Sequence, residues 1–137
     1  MGTTNFDAVE AATFTGNVVG NVTGNLTGNV VGEVRDSVQT LTASGAITLN
    51  SGLVILSHAT VAIAATLDAP TAGDELIIVN NSASGTAAHT VTLPAGVTWD
   101  GTNDVATLDA PGEALHVKAL SATRWFVLEN IGTVGIA

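Results

Sequence analysis

Val91–Val134 reads VTLPAGVTWDGTNDVATLDAPGEALHVKALSATRWFVLENIGTV. Short β-type runs alternate in it with turn signals. Val91–Leu93 closes one run, and Pro94-Ala95-Gly96 and Asp100-Gly101 punctuate the stretch after it. Val105–Asp109, Ala114–Ala119 and Trp125–Glu129 are the next runs, with Pro111-Gly112 between the first two. Aliphatic, β-branched and aromatic residues fill the runs because they suit a pleated, half-buried surface. Gly, Pro, Asn and Asp fill the breaks because they accept turn conformations or bond their own backbone.

The same pattern extends upstream as far as Gly45. Candidate strands there are Ala46–Leu49, Leu53–Leu56, Thr60–Ala64, Glu75–Asn80 and His89–Leu93. Asn50-Ser51-Gly52, Ala69–Asp74, Asn80-Asn81-Ser82 and Ser84-Gly85 separate them. A spacing of about ten residues predicts an all-β fold, an antiparallel, jelly-roll-like β-sandwich over residues 45–137. Helical periodicity is missing after residue 15, although Asp7–Thr13 has room for one short turn.

Before this domain lies Gly16–Val34, GNVVGNVTGNLTGNVVGEV. Its period is four: Gly, Asn, an apolar residue, then Thr or Val. A collagen helix needs Gly at every third position, so the segment is not collagen. Five glycines and many β-branched residues also argue against an α-helix. In an extended strand, alternate side chains share a face. One face then carries Val18, Val22, Leu26, Val30 and Val34, separated by Gly20, Gly24, Gly28 and Gly32. Ordering this backbone costs more than burying five side chains returns, so a lone strand does not hold. Three copies wound about an axis would bury the stripe and pair every edge. The prediction is an extended, intertwined β-stalk or arm in a homotrimer. Residues 16–44 form the stalk and connector, and residues 1–15 an anchor. A flexible Gly/Asn linker is the alternative, but a linker has no need of regular apolar spacing.

Composition excludes several classes of function. The 137 residues include no Cys, three Lys and Arg, and twelve Asp and Glu, for a net charge of -9. Disulfide frameworks, thiolate zinc sites and iron–sulfur clusters are therefore out of reach. Nucleic-acid binding lacks its electrostatic footprint. Residues 1–14 lack the basic and apolar segments of a secretory signal. Gly52–Leu67 is too short and too mixed to span a bilayer. The expectation is no membrane and no nucleic acid, with the charge acting through solubility.

Catalytic machinery is hard to assemble. His58, His89 and His116 have no metal-binding spacing and read as ordinary strand or turn residues; a ligand set around a threefold axis is the competing reading. Asp100–Asp104 lacks the repeated acids of a calcium loop and reads as a β-turn. Asp68, Asp109 and Glu113 sit beside turns and read as solvent-facing strand caps. Trp125 reads as core, and Arg124 beside it is placed to stack, to pair with a carboxylate such as Asp109, or to contact a neighbouring subunit. Trp99 precedes a turn and is the candidate surface ligand contact, stacking on a sugar ring, with a core position as its alternative. The sequons at Asn21, Asn25 and Asn80 read as coincidental. No catalytic residue, metal or cofactor is expected.

The tetrapeptide repeat resembles stalk repeats in structural proteins of tailed bacteriophages, including cyanophages. The Val91–Val134 block is similar to a β-domain of phage virion proteins, with its Asp-Gly-Thr-Asn turn at 100–103, Ala-Pro-Gly-Glu turn at 110–113 and Ser-Ala-Thr-Arg-Trp entry at 121–125. The resemblance implies a non-enzymatic, trimeric virion component. A short chain with a stalk near Met1 fits a capsid decoration, cement or head-fibre protein on the capsid exterior, made in the host cytoplasm and bound to the major capsid protein. The alternative is a receptor-binding tail fibre, tailspike or baseplate-associated trimer, with a host-surface glycan as partner.

Overall fold

The computed structural model describes residues 35–48, 51–82 and 88–137. Ten strands are assigned there. They are β1 (Val38–Leu41), β2 (Gly45–Ile47), β3 (Gly52–Leu56), β4 (Ala64–Leu67) and β5 (Glu75–Asn80), then β6 (His89–Thr92), β7 (Val105–Leu108), β8 (Ala114–Ser121), β9 (Arg124–Ile131) and β10 (Gly135–Ile136). The all-β expectation holds for these residues. The compact unit that contains the strands runs Val34–Ala137. It takes in β1, which the sequence pattern places in the connector. The stalk stripe and the anchor at 1–15 lie outside the described residues.

Two five-stranded sheets form. The first has the order β1-β3-β5-β8-β9, and the second β10-β7-β6-β4-β2. Strands β1 to β6 alternate between the sheets, so the chain winds round the core three times. Each turn adds one strand to each sheet, parallel to the previous one: β1 to β3 to β5, and β2 to β4 to β6. Antiparallel pairing then takes over, β5 with β8, β8 with β9, β6 with β7 and β7 with β10. The fully antiparallel sandwich expected from the sequence is thus corrected to two mixed sheets. A parallel pair needs a crossover between its strands. Here the opposite sheet supplies it, and a short spacing between strands cannot distinguish that path from a hairpin.

Alternation places the core. Val54 and Leu56, Leu76 and Ile78, and Leu115, Val117 and Ala119 point inward from the first sheet. Ile47, Ala65, Leu67, Val91, Ala106 and Leu108 meet them from the second. Trp99 and Trp125 join the same cluster, their ring centroids 6.5 Å apart and tilted by 34°. Gly52 makes the first winding possible. Its φ is +127°, and a Cβ there would run into the Ser37 carbonyl, which accepts a bond from the Leu53 amide.

Thr60–Ala64 does not form the expected strand. The His58 ring accepts bonds from the Thr60 and Val61 amides through Nδ1, which wraps this run into a turn. The strand begins at Ala64 instead.

Candidate functional site

The outer face of the first sheet is the feature that sets this domain apart. Strand register assembles it in rows. Val38, Leu53, Ile77, His116 and Glu129 form one row across all five strands. Thr40, Ile55, Val79, Ala114 and Ile131 form the next. Glu75, Lys118 and Phe126 make a third, shorter row. Leu128 is the extra residue of a β-bulge, since Val127 pairs with Val117 and Glu129 with His116. Of the seven large hydrophobic side chains that remain exposed among the described residues, six lie on strands of this sheet, and only Val61 does not. The second sheet is different. Its outward positions are Ala46, Ala64, Thr66, Thr90, Thr92, Val105 and Thr107, and all but Val105 are small or carry hydroxyls.

A sequence signal for this face exists. Leu53-Val54-Ile55-Leu56 and Leu76-Ile77-Ile78-Val79 are unbroken apolar runs, and such runs mark strands covered on both faces. Strands of the second sheet alternate instead, as in the central strand His89-Thr90-Val91-Thr92.

Polar residues collect at one end of the apolar rows. Glu75 Oε1 lies 2.7 Å from His116 Nε2, and Glu75 Oε2 accepts a 2.7 Å bond from Lys118. The Lys118 and His116 bonds hold Glu75 below the usual carboxylate value. Asp36, Ser51, Gly52, Glu75, Ile77 and His116 line a shallow depression of about 300 Å³ beside them. Among the described residues, no group of His, Asp and Glu is arranged to hold a metal.

The other charged and polar candidates hold turns. Glu113 was expected in solvent, and the structure corrects this: it is buried. Its Oε2 accepts from the Asp109 and Ala110 amides, and its Oε1 from the Thr133 amide and hydroxyl. Burial pushes its carboxyl up, but the Ala110, Thr133 and Asp109 donors outweigh it and leave the group below its usual value. Gly132 lies against it with φ +86°, and a Cβ there would sit 2.7 Å from Glu113 Cγ. Asp100 accepts from the Thr102 and Asn103 amides and from the Asn103 side chain. Those bonds, the Asn103 amide first, lower its carboxyl as well. The 100–103 segment is thus the expected turn. The Arg124 guanidinium lies over Gly101 of that turn, and no ion pair joins it to Asp109 among the described residues.

A buried clasp links His58, Ser82 and His89. His89 Nε2 lies 2.8 Å from Ser82 Oγ, and His89 Nδ1 accepts from the Ile63 amide. Ser82 donates to the His58 carbonyl. Asn80, the first residue of a sequon, is itself buried, with its side chain bonded to the Leu108 carbonyl and the Ser82 amide. A glycan cannot be carried there in the folded domain.

Trp99 is also corrected. It has no exposed surface, and its indole donates to the Asp104 carbonyl. The Thr98 bridge to Arg124 draws this segment against the start of β9, and so carries the indole into the core beside Trp125. It is not a surface ligand contact. Trp125 is buried as expected. The assembly positions Val18, Gly20, Val22, Gly24, Leu26, Gly28, Val30 and Val34 lie outside the described residues.

No family model matches the chain, and no curated protein is similar to it at a significant level.

Proposed function

We propose that the chain is a non-enzymatic structural subunit of a phage virion, a trimer that binds the capsid shell and decorates or stabilises it. One observation carries the reading: the first sheet is apolar on both faces, and only one of them is used inside the domain. A monomer rarely leaves such a face to water, and protein partners are its usual cover. The repeat at 16–34 and the Val91–Val134 block supply the class by resemblance. The buried titratable groups support it too, since Glu113 and His89 are engaged in holding turns. In this reading residues 1–34 contact the major capsid protein and the β-domain faces outward on the head.

The test is to label intact virions of the encoding phage with an antibody against the chain. Label on the head lattice supports a decoration protein. Label confined to the tail favours the fibre or baseplate alternative, and virions without label remove both.

A further inference from the structure

We propose that the outer face of the first sheet is the surface through which copies of this chain pack against each other. The inference rests on the trimeric reading above and assigns it a face.

Three observations converge on a second copy as the occupant. The first is chemical. Val38, Leu53, Ile55, Ile77, Val79, Ala114 and Ile131 form adjoining rows across five strands. A sheet that is apolar on both sides requires a layer on both.

Charge is the second. The chain carries -9, so copies that meet at random bring acid against acid. All three cations, Arg35, Lys118 and Arg124, lie on strands of this sheet or just before its first one. On the face itself Lys118 balances Glu75, and Glu129 lies opposite His116. The face is low in net charge for its extent, with Glu129 and the neighbouring Asp36 as the acids that Lys118 does not balance. A strongly basic partner would find just these two acids to pair with there, since Glu75 is already taken by Lys118.

The third is register. Val18, Val22, Leu26, Val30 and Val34 are four residues apart, and the next step of four lands on Val38. Val38 is the first outward residue of β1, at the edge of this face and 59 % exposed. The four-residue sequence spacing of the stripe therefore continues into the first strand of this face. The stripe read as the trimer contact and the first row of the sheet thus share one sequence spacing, which meets at Val38.

The test uses the full chain. Light scattering should give three times the 13.6 kDa chain mass for the wild type. Ile77→Lys combined with Ile131→Lys should reduce it to one chain mass while β-sheet circular dichroism is retained. Thr66→Lys, on the outer face of the second sheet, should leave three. A wild-type trimer that survives the paired lysines overturns this face and leaves the trimeric reading standing. A wild type of one chain mass at every concentration overturns both. Should the paired lysines abolish folding, Ile77→Cys decides, because the chain has no other thiol. In the trimer its thiol should react far more slowly with a bulky maleimide than that of Thr66→Cys. Equal rates overturn the proposal.

Discussion

His89 and Ser82 share a 2.8 Å hydrogen bond whose direction a third group fixes. The Ile63 amide occupies His89 Nδ1, so the ring proton resides on Nε2 and points at Ser82 Oγ. Ser82 in turn gives its proton to the His58 carbonyl. Activation of a serine nucleophile needs the reverse polarity, with a bare ring nitrogen facing the hydroxyl. The pair is wired as a clasp that ties β6 to the 57–63 turn.

The clasp has a pH signature. Burial pushes His89 below its usual value of 6.5, and nearby His58 pushes the same way. A group depressed by folding contributes its full stability above the unfolded value and loses it as pH falls through the folded one. Urea unfolding should therefore show lower stability at about pH 5.5 than at about pH 7.5. His89→Leu should cost about 1–3 kcal/mol at the higher pH, because the Ile63 amide and Ser82 lose a buried partner. It should also flatten the difference between the two pH values. A wild-type stability that stays level across this window refutes the assignment.

Glu113 responds at lower pH. Its ordinary value is 4.5 and folding lowers it, so its contribution is complete above 4.5 and fades with acidification below that. Glu113→Gln has one carbonyl where the carboxylate serves three amides and a hydroxyl, and should cost about 1–3 kcal/mol near neutral pH. In thermal melts at about pH 3 the gap between variant and wild type should narrow, since the wild type is then losing the same bonds. A gap of constant size would assign the residue's effect to packing alone.

Trp99→Ala should behave as a core truncation. The side chain is fully buried against Trp125, so removing it should cost about 3–5 kcal/mol. Fluorescence unfolding of the wild type should start from blue-shifted emission, as both indoles are enclosed. Retained stability in Trp99→Ala would mean that the indole is not in the core. The expected result also removes Trp99→Ala as a clean probe of glycan binding.

Much of the fold is legible strand by strand. Glu75–Asn80 forms as read, and the runs at 53–56, 89–93, 105–109, 114–119 and 125–129 differ only at their ends. These segments combine β-propensity with clear breaks, so local chemistry decides them. What local chemistry cannot carry is the pairing. Leu53–Leu56 lies parallel to Glu75–Asn80 because the chain crosses to the other sheet between them. Val38–Leu41 gives a weak strand signal because Gln39 occupies an inward position, and β3 pairing holds the strand despite it. Glu113 and Trp99 depart from expectation for a related reason. Each borders a turn, and turns ordinarily face water, yet long-range bonds to Thr133 and Thr98 contacts with β9 draw these two inside. The exposed face of the first sheet is written in the unbroken apolar runs, a signal that strand-finding alone ignores.

Gln39 carries the last prediction. β2 is an edge strand, and unpaired edge amides and carbonyls invite pairing with other chains. The Gln39 amide group acts as a substitute for a neighbouring strand: its nitrogen donates to the Ala46 carbonyl, and its oxygen accepts from the Thr48 amide. A side chain from β1 thus closes the edge of the opposite sheet, while no described strand pairs with the outer edge of β1. Gln39→Leu keeps the side chain's bulk and removes both bonds. Hydrogen exchange at the Thr48 amide should accelerate, while the Leu53 amide, bonded to Ser37, should hold its rate. Freed of its cap, β2 should also make the variant more prone to aggregate at high concentration than the wild type. Unchanged exchange at Thr48 would show that the backbone of β2 is protected by something other than Gln39.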